Sequence, residues 1–408
     1  MSTAGAPRRP EAPALSAPGV FGLALGPAVA LGLARFSYAL LLPSMRSDLH
    51  WSFALAGAMN TANALGYLAG ALLAAVLMRR YGVRRSFAVS LIAVTLSLLL
   101  TALTANPLLL ATLRAVSGAA GALTFIAGAG LVATSASSLP AGRAATLLGI
   151  YFAGGGLGII ASGLLIPKLL VSVGSQVGWR WGWGALAALG VLGSAVAIPL
   201  ALRCAEPLPP PPAERRWPAR RLGALLASYG LFGAGYIAYM TFVVAFLEDQ
   251  GTPAAVVAVF WVVLGATSVV GAWAWSKPVA RSVGGRATAA VLLVLSAGAL
   301  LPLLSGSPWA ALGSALLFGG SFLSVLTAVT AVARQALRPH HWTPAIAGLT
   351  IAFALGQSLG PVLAGVLSDG PAGLSLGLWL SVGLLLLGAL IALAQRVVPA
   401  YHPAVQLD

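Results

Sequence analysis

Between two long apolar runs the chain reads Arg79-Arg80-Tyr81-Gly82-Val83-Arg84-Arg85, and 202 residues further on, again between apolar runs, it reads Arg281-Ser282-Val283-Gly284-Gly285-Arg286. Both copies carry R-x-x-G-x-R. Other features recur at the same spacing. Gly154-x-x-x-Gly158-Ile159-x-x-Ser162-Gly163 is answered 202 residues later by Gly356-x-x-x-Gly360-Pro361-x-x-Ala364-Gly365, and Pro107 is answered by Pro308 at a distance of 201. Several coincidences at one offset mark an internal duplication, and its period of about half the chain predicts two similar halves.

What each half contains follows from composition. The 408 residues are 59% hydrophobic and 8% charged, with a mean hydropathy of +0.95. Ordinary soluble domains carry roughly 25% charged residues, so this is a membrane protein. A bilayer core takes about 20 apolar residues per helix. Twelve such runs are legible, at 19–43, 53–77, 87–104, 108–133, 146–170, 181–202, 222–247, 254–275, 288–304, 309–332, 345–367 and 374–395. The expected organisation is a disordered tail over 1–18 and a six-helix bundle over 19–203. A Pro- and Arg-rich linker over 204–221 leads to a second bundle over 222–396 and a tail over 397–408. The fold class is all-α, twelve transmembrane helices in a 6+6 pseudo-repeat. Residues 1–18 are rich in Pro, Ala and Ser, and the first apolar run continues to full spanning length, so no cleavable leader is expected.

The net charge of +15 is mostly topology. With the N-terminus inside, eighteen of the 23 basic residues fall in cytoplasmic segments, while Arg46, Lys168 and Arg180 fall outside. That bias places both termini in the cytoplasm and the chain in the bacterial inner membrane as a multi-pass protein. Scattered between spans, the basic residues form no patch for a nucleic acid. The expected partners are lipid and a small-molecule substrate, and the chain is expected to be monomeric. Cys204 is the single cysteine, and the four His lie outside the apolar runs. No metal site and no cofactor is expected.

Two basic residues remain inside spans, Arg35 and Arg114. Burying an Arg there costs about 2.5–3.5 kcal/mol even on the lenient insertion scale. Each must therefore face a wet cavity or a partner. A pair of guanidinium forks suits a carboxylate or another small anion; alternatively each Arg holds helix-kink carbonyls and braces the bundle. Their repeat counterparts are Ile237 and Leu316, so the charge belongs to one half while the scaffold repeats. None of the eight acids (Glu11, Asp48, Glu206, Glu214, Glu248, Asp249, Asp369, Asp408) lies well inside a span. Coupling is therefore expected through exchange, a substrate gradient, or a proton carried by the substrate itself. Polar and aromatic residues at helical spacing complete a candidate substrate site: Tyr38 one turn after Arg35, Asn60, Asn63 and Tyr67 on the second span, Tyr229, Phe232, Tyr236 and Tyr239 on the seventh, and Gln357 on the eleventh. Packing is the competing role for such stripes. The glycines of the fifth and eleventh spans are read as close helix contacts, with Pro361 bending its helix.

Arg79 to Arg85 resembles the signature loop between the second and third helices of the major facilitator superfamily. Leu110-x-x-x-Arg114-x-x-x-Gly118 resembles its fourth-helix motif, and Gly154 to Gly163 its fifth-helix motif. The first span, Gly32-x-x-Arg35-Phe36-Ser37-Tyr38-x-x-Leu41-Leu42-Pro43-x-Met45, is similar to a branch of bacterial permeases. The resemblance implies two bundles around a central cavity lined by helices one, four, seven and ten, rocking between inward-open and outward-open states. It gives Arg79, Gly82 and Arg84, with Arg281, Gly284 and Arg286, a part in gating. Arg79 and Arg281 stand where that family's loop usually has Asp, so this loop does not supply the acid of the family's ion pair. Ile159 stands where many exporters have Pro.

The function expected is secondary active transport of a small molecule, in particular a small organic anion, by alternating access. The alternative is export of hydrophobic or drug-like compounds. A membrane enzyme is the distant third: Gly373-Leu374-Ser375-Leu376-Gly377 matches G-x-S-x-G, but it opens a span with no strand before it and no His or Asp helper.

Overall fold

The computed structural model describes residues 16–207 and 217–396. The expected N- and C-terminal tails, apart from residues 16–18, and residues 208–216 of the Pro-rich linker lie outside the described residues. Twelve helices are long and apolar enough to cross a membrane. They are α1 (Ala17–Leu49), α2 (Phe53–Tyr81), α3 (Val83–Leu103), α4 (Pro107–Ser135), α5 (Ala141–Val173), α6 (Ser175–Arg203), α7 (Gly223–Asp249), α8 (Ala254–Ala274), α9 (Arg286–Leu304), α10 (Pro308–Ala336), α11 (Trp342–Ser368) and α12 (Gly373–Leu393). The face carrying the Arg79–Arg85 loop is called here the basic face. Exposed Leu and Val side chains, among them Leu72, Val89, Leu192, Leu363 and Leu390, cover the perimeter, as expected where lipid replaces water.

Both duplicated prolines open a helix at its first positions, where the missing N–H has no role. Asn106 caps α4 by accepting from Leu108 N and Leu109 N at 3.0 and 3.1 Å, and Ser307 caps α10 by accepting from Ala310 N at 3.2 Å. The repeated glycines are close contacts. A Cβ on Gly154 would meet the Ala24 carbonyl oxygen of α1 at 2.0 Å, and one on Gly158 the Ala28 oxygen at 2.2 Å. In the second half, a Cβ on Gly356 would meet the Gly230 oxygen of α7 at 1.9 Å, and one on Gly360 the Ala234 oxygen at 2.2 Å. Thus α5 lies backbone to backbone on α1, and α11 on α7.

Two helices depart from regular geometry. The centre of α1, Ala28–Phe36, is a π-helix that begins after Pro27 and holds Arg35; π segments widen the ladder and concentrate at functional sites. Its end is tied by Ser37, whose N and Oγ donate to the Gly32 carbonyl at 3.2 and 2.8 Å. Halfway along, α10 breaks at Leu323 between Pro308–Phe322 and Ser324–Ala336.

The halves meet through α2 on α11 and α5 on α8. Hydrogen bonds across this boundary lie from the midplane toward the face opposite the basic one. Asn60 Nδ2 donates to Thr241 Oγ1 at 2.6 Å, Thr61 Oγ1 to the Ser358 carbonyl at 2.7 Å, and Trp261 Nε1 to Ser162 Oγ at 3.2 Å. At the rim, Asp369 at the end of α11 accepts from Phe53 N at 2.7 Å and Ala54 N at 2.9 Å, which caps α2. Small residues bring the main chains together there: a Cβ on Gly57 would meet the Pro361 oxygen at 2.2 Å, and one on Gly365 the Phe53 oxygen at 2.3 Å. Among the described residues no hydrogen bond or ion pair ties the halves nearer the basic face. Because these hydrogen bonds and main-chain contacts join the halves there, the opposite face is called here the closed face.

Candidate functional site

A cavity of about 110 Å³ lies between the midplane and the basic face. Its wall is Leu31, Arg35 and Phe36 of α1, Tyr67 of α2, Phe125 of α4, Tyr229, Phe232 and Tyr236 of α7, Phe322, Leu323 and Leu326 of α10, and Phe353 of α11. Helices one, four, seven and ten all contribute, with α2 and α11 added. Arg35 is the charged member of that wall.

The two buried arginines have separate fates. Arg114, 3% exposed, donates from Nη1 to the Ala34 carbonyl at 2.6 Å and from Nη2 to Asn60 Oδ1 at 3.1 Å. Its guanidinium lies 4.6 Å from the Tyr38 ring centroid. It braces α1 and α2 beside the π segment. Arg35, 5% exposed, stacks on Tyr67 at 4.9 Å, and its Nε and Nη2 are buried without a hydrogen-bond partner. Such groups cost free energy unless something completes them.

Among the remaining candidates, Tyr67, Tyr229 and Tyr236 join Arg35 on the cavity wall. Gln357 stands behind it, donating from Nε2 to the Tyr236 hydroxyl while its Oε1 has no partner. Tyr38, Asn60, Asn63 and Tyr239 do not line it. Tyr38 OH donates to the Ala56 carbonyl at 2.8 Å, Asn63 Nδ2 to the Arg114 carbonyl at 3.0 Å, and the Tyr239 hydroxyl pairs with Ser314 Oγ. With Asn60 and Arg114 these groups form a packed polar layer between the cavity and the closed face. Phe353, Phe322 and Phe125 were not among the sequence candidates; Phe353 lies one turn before Gln357, which was the available signal.

One wall is built from nearly parallel rings. Tyr229 and Phe353 lie 4.8 Å apart at 14°, Phe232 and Tyr236 4.9 Å apart at 19°, and Tyr236 and Phe353 5.7 Å apart at 9°. Phe322 extends the set, 6.1 Å from Tyr236 at 14°. Among the described residues no carboxylate lines this cavity. The rim acids are placed elsewhere: Asp48 accepts from Trp179 Nε1 at 2.7 Å, Asp369 caps α2, and Glu248 lines a second cavity of about 370 Å³ near the closed face with Ser44 and Ser47.

At the basic face, the loop that lacks its expected acid obtains one from a distance. Glu206, just after α6, accepts from Val83 N and from Arg84 Nε at 2.8 Å, the one ion pair among the described residues. Arg84 Nη1 also donates to the Leu202 carbonyl at 2.9 Å. Gly82 turns the chain at φ 84°, a left-handed value that Gly adopts without strain. The second copy is tied by amides instead: Gly284 N donates to Gln335 Oε1 at 3.2 Å, and Gln335 Nε2 to the Ser282 carbonyl at 2.9 Å. Ser375, in the G-x-S-x-G match, donates to the Ala372 carbonyl at 2.7 Å at the start of its own helix. Among the described residues no group of three or more His, Cys, Asp or Glu gathers to hold a metal ion.

A family model described as "Uncharacterised MFS-type transporter YbfB" matches residues 27–393. Among solved structures, the chain is similar to a bacterial homologue of the human lysosomal transporter Spinster in its inward-facing, unoccupied conformation. The identity is 16% and the TM-score 0.67, with 95% of this chain and 100% of the other covered. It is also similar to the nucleoside transporter NupG, at 13% identity and a TM-score of 0.66 over 92% of this chain and 98% of the other. These likenesses speak for the fold. No curated protein sequence matches the chain.

Proposed function

The chain belongs to the YbfB-type family of major facilitator transporters, and from that premise we propose that it carries a small organic anion across the cytoplasmic membrane by alternating access. The observation that carries this reading is Arg35. It is a buried cation on the wall of the central cavity, with two donors unpartnered and no lining acid to neutralise it. A bound anion supplies the missing charge and acceptors together. Arg114 is assigned a bracing role, since its guanidinium is already engaged with a carbonyl of α1 and with Asn60.

Cross-boundary hydrogen bonds that lie, among the described residues, from the midplane toward the opposite face support an inward-facing state. On this reading the basic face, with the Arg84–Glu206 clamp, is cytoplasmic, as are both termini, and the positive-inside bias supports that orientation. The site is complete within one chain, which supports a monomer. No step of this cycle makes or breaks a covalent bond in the substrate, and the reading includes no catalytic activity.

The test is a thermal-shift screen of small carboxylates, sugars and lipophilic cations on the purified protein, repeated with Arg35→Gln. Stabilisation by a carboxylate that disappears in the variant is expected. Stabilisation by lipophilic cations alone, indifferent to the substitution, overturns the anion reading in favour of an exporter of hydrophobic compounds, for which the ring-lined wall is the supporting observation.

A further inference from the structure

We infer that the anion is a flat, single-ring aromatic carboxylate, with its carboxylate on Arg35 and its ring laid against the parallel rings of α7 and α11; this rests on the anion reading above. Three observations meet at this cavity. The first concerns the guanidinium. Its unpartnered atoms are Nε and Nη2, whose N–H bonds point the same way along one edge of the planar group. That edge takes both oxygens of one carboxylate as two parallel hydrogen bonds. A neutral hydroxyl offers a single oxygen to the two donors and no charge.

The second observation is the orientation of the rings. Tyr229, Phe232, Tyr236 and Phe353 have mutual interplanar angles of 9–19°. Aromatic groups in a core can pack edge to face, as Phe36 and Phe322 do at 85°, so a set aligned in one plane direction is a selective surface. Offset stacking adds a preference for a flat ring beyond what apolar area alone provides. A puckered ring of the same size forfeits that part.

The third is size. A cavity of about 110 Å³ is somewhat smaller than the engineered apolar cavity of about 150 Å³ that admits benzene. The volume therefore sets an upper bound of one ring, admitted only as the wall moves outward around it, and excludes a fused or two-ring system from this state.

The experiment compares benzoate, cyclohexanecarboxylate and benzamide by calorimetric titration of purified protein in lipid nanodiscs, followed by Arg35→Gln and Phe353→Leu. Benzoate is expected to bind about 2- to 13-fold more tightly than cyclohexanecarboxylate, which has the same charge without the flat ring. Benzamide, flat but uncharged, is expected to bind weakly, and Arg35→Gln to abolish benzoate binding. In Phe353→Leu the ratio of benzoate to cyclohexanecarboxylate affinity should fall toward one. Equal affinity for the two carboxylates, both dependent on Arg35, overturns the aromatic inference and leaves the anion reading standing. Carboxylate binding that is absent, or unchanged in Arg35→Gln, overturns the anion reading itself. The ligand comparison needs only the wild-type protein, so a variant that fails to fold does not remove the test.

Discussion

Replacing Asp369 by Asn is expected to loosen the closed face without unfolding the protein. The carboxylate ends α11 and accepts two main-chain N–H groups at the start of α2, at 2.7 and 2.9 Å. Hydrogen bonds to a charged group contribute about 1.5–3 kcal/mol each when well enclosed, and a negative charge at a helix N-terminus about 0.3–1 kcal/mol. The contact is exposed, so the low end of those ranges applies. Asn keeps one neutral acceptor, which leaves a loss of about 1–2 kcal/mol in the closed state. At about 1.4 kcal/mol per factor of ten, this moves the closed-to-open ratio of that face by about 5- to 30-fold. The same charge lies unfavourably at the C-terminus of its own helix, so its removal relieves α11 and overall stability changes little. Spin labels on Ala105→Cys and Ala372→Cys, exposed positions in loops of different halves on that face, placed in a Cys204→Ser background, report the separation by pulsed electron resonance. A second, longer distance should gain weight in Asp369→Asn and more in Asp369→Ala. An unchanged distance distribution in both, or a large fall in melting temperature with no new distance, refutes the reasoning.

Arg114→Gln removes the donors that satisfy the Ala34 carbonyl and Asn60, both buried, and should lower the melting temperature well beyond the effect of Arg35→Gln; the two are compared by fluorescence-detected gel filtration after heating. Gly158→Ala places a methyl group 2.2 Å from the Ala28 oxygen, whereas a Cβ on Gly149 of the same helix meets nothing within 4 Å. The first is expected to lose folded protein, and the second to be neutral or about 1 kcal/mol more stable from helix propensity. Burial pushes the Cys204 thiol up from its usual range, with Ser135 and Arg84 opposing that only in part. A raised pKa means less thiolate at any given pH below it. Maleimide labelling at pH 8 should therefore be slower than for a free thiol, and should keep accelerating as the pH rises past 9. Labelling at the free-thiol rate would contradict the burial.

Spans and loops were legible because run length alone carries them. Even the two shortest runs, 87–104 and 288–304, fall on helices at Val83–Leu103 and Arg286–Leu304. Within the site, periodicity separated some candidates and not others. At 100° per residue Tyr236 lies within about 20° of Tyr229 around α7, while Tyr239 is rotated by about 80° and reaches Ser314 instead. Asn60 shares a face with Tyr67 but sits two turns, about 10.5 Å, closer to the closed end, where Arg114 and Thr241 engage it. The division of labour between the arginines was not legible, because it depends on where the π segment presents its carbonyls. Glu206 was missed for a similar reason. The Arg79–Arg85 loop contains no acid of its own, and the chain brings one to it from 123 positions away.

The seam between the halves at the closed face has a consequence for how such proteins diverge. Asp369 holds two amide groups of the main chain, Thr61 holds a carbonyl, and Gly57 and Gly365 lie against carbonyls. None of these rim contacts pairs one side chain with another, whereas Asn60 with Thr241, Trp261 with Ser162, and Phe53 edge to face on Phe242 do so elsewhere in the seam. A substitution at Ala54 by any residue except proline leaves its donor in place and calls for no compensating change across the seam. A contact map inferred from paired substitutions among homologues would therefore show those side-chain pairs and leave the main-chain contacts of the rim blank. The imprint those main-chain contacts leave is one-sided: two positions where any side chain would meet a carbonyl, and one acid whose partner is a main-chain N–H that every residue but proline carries.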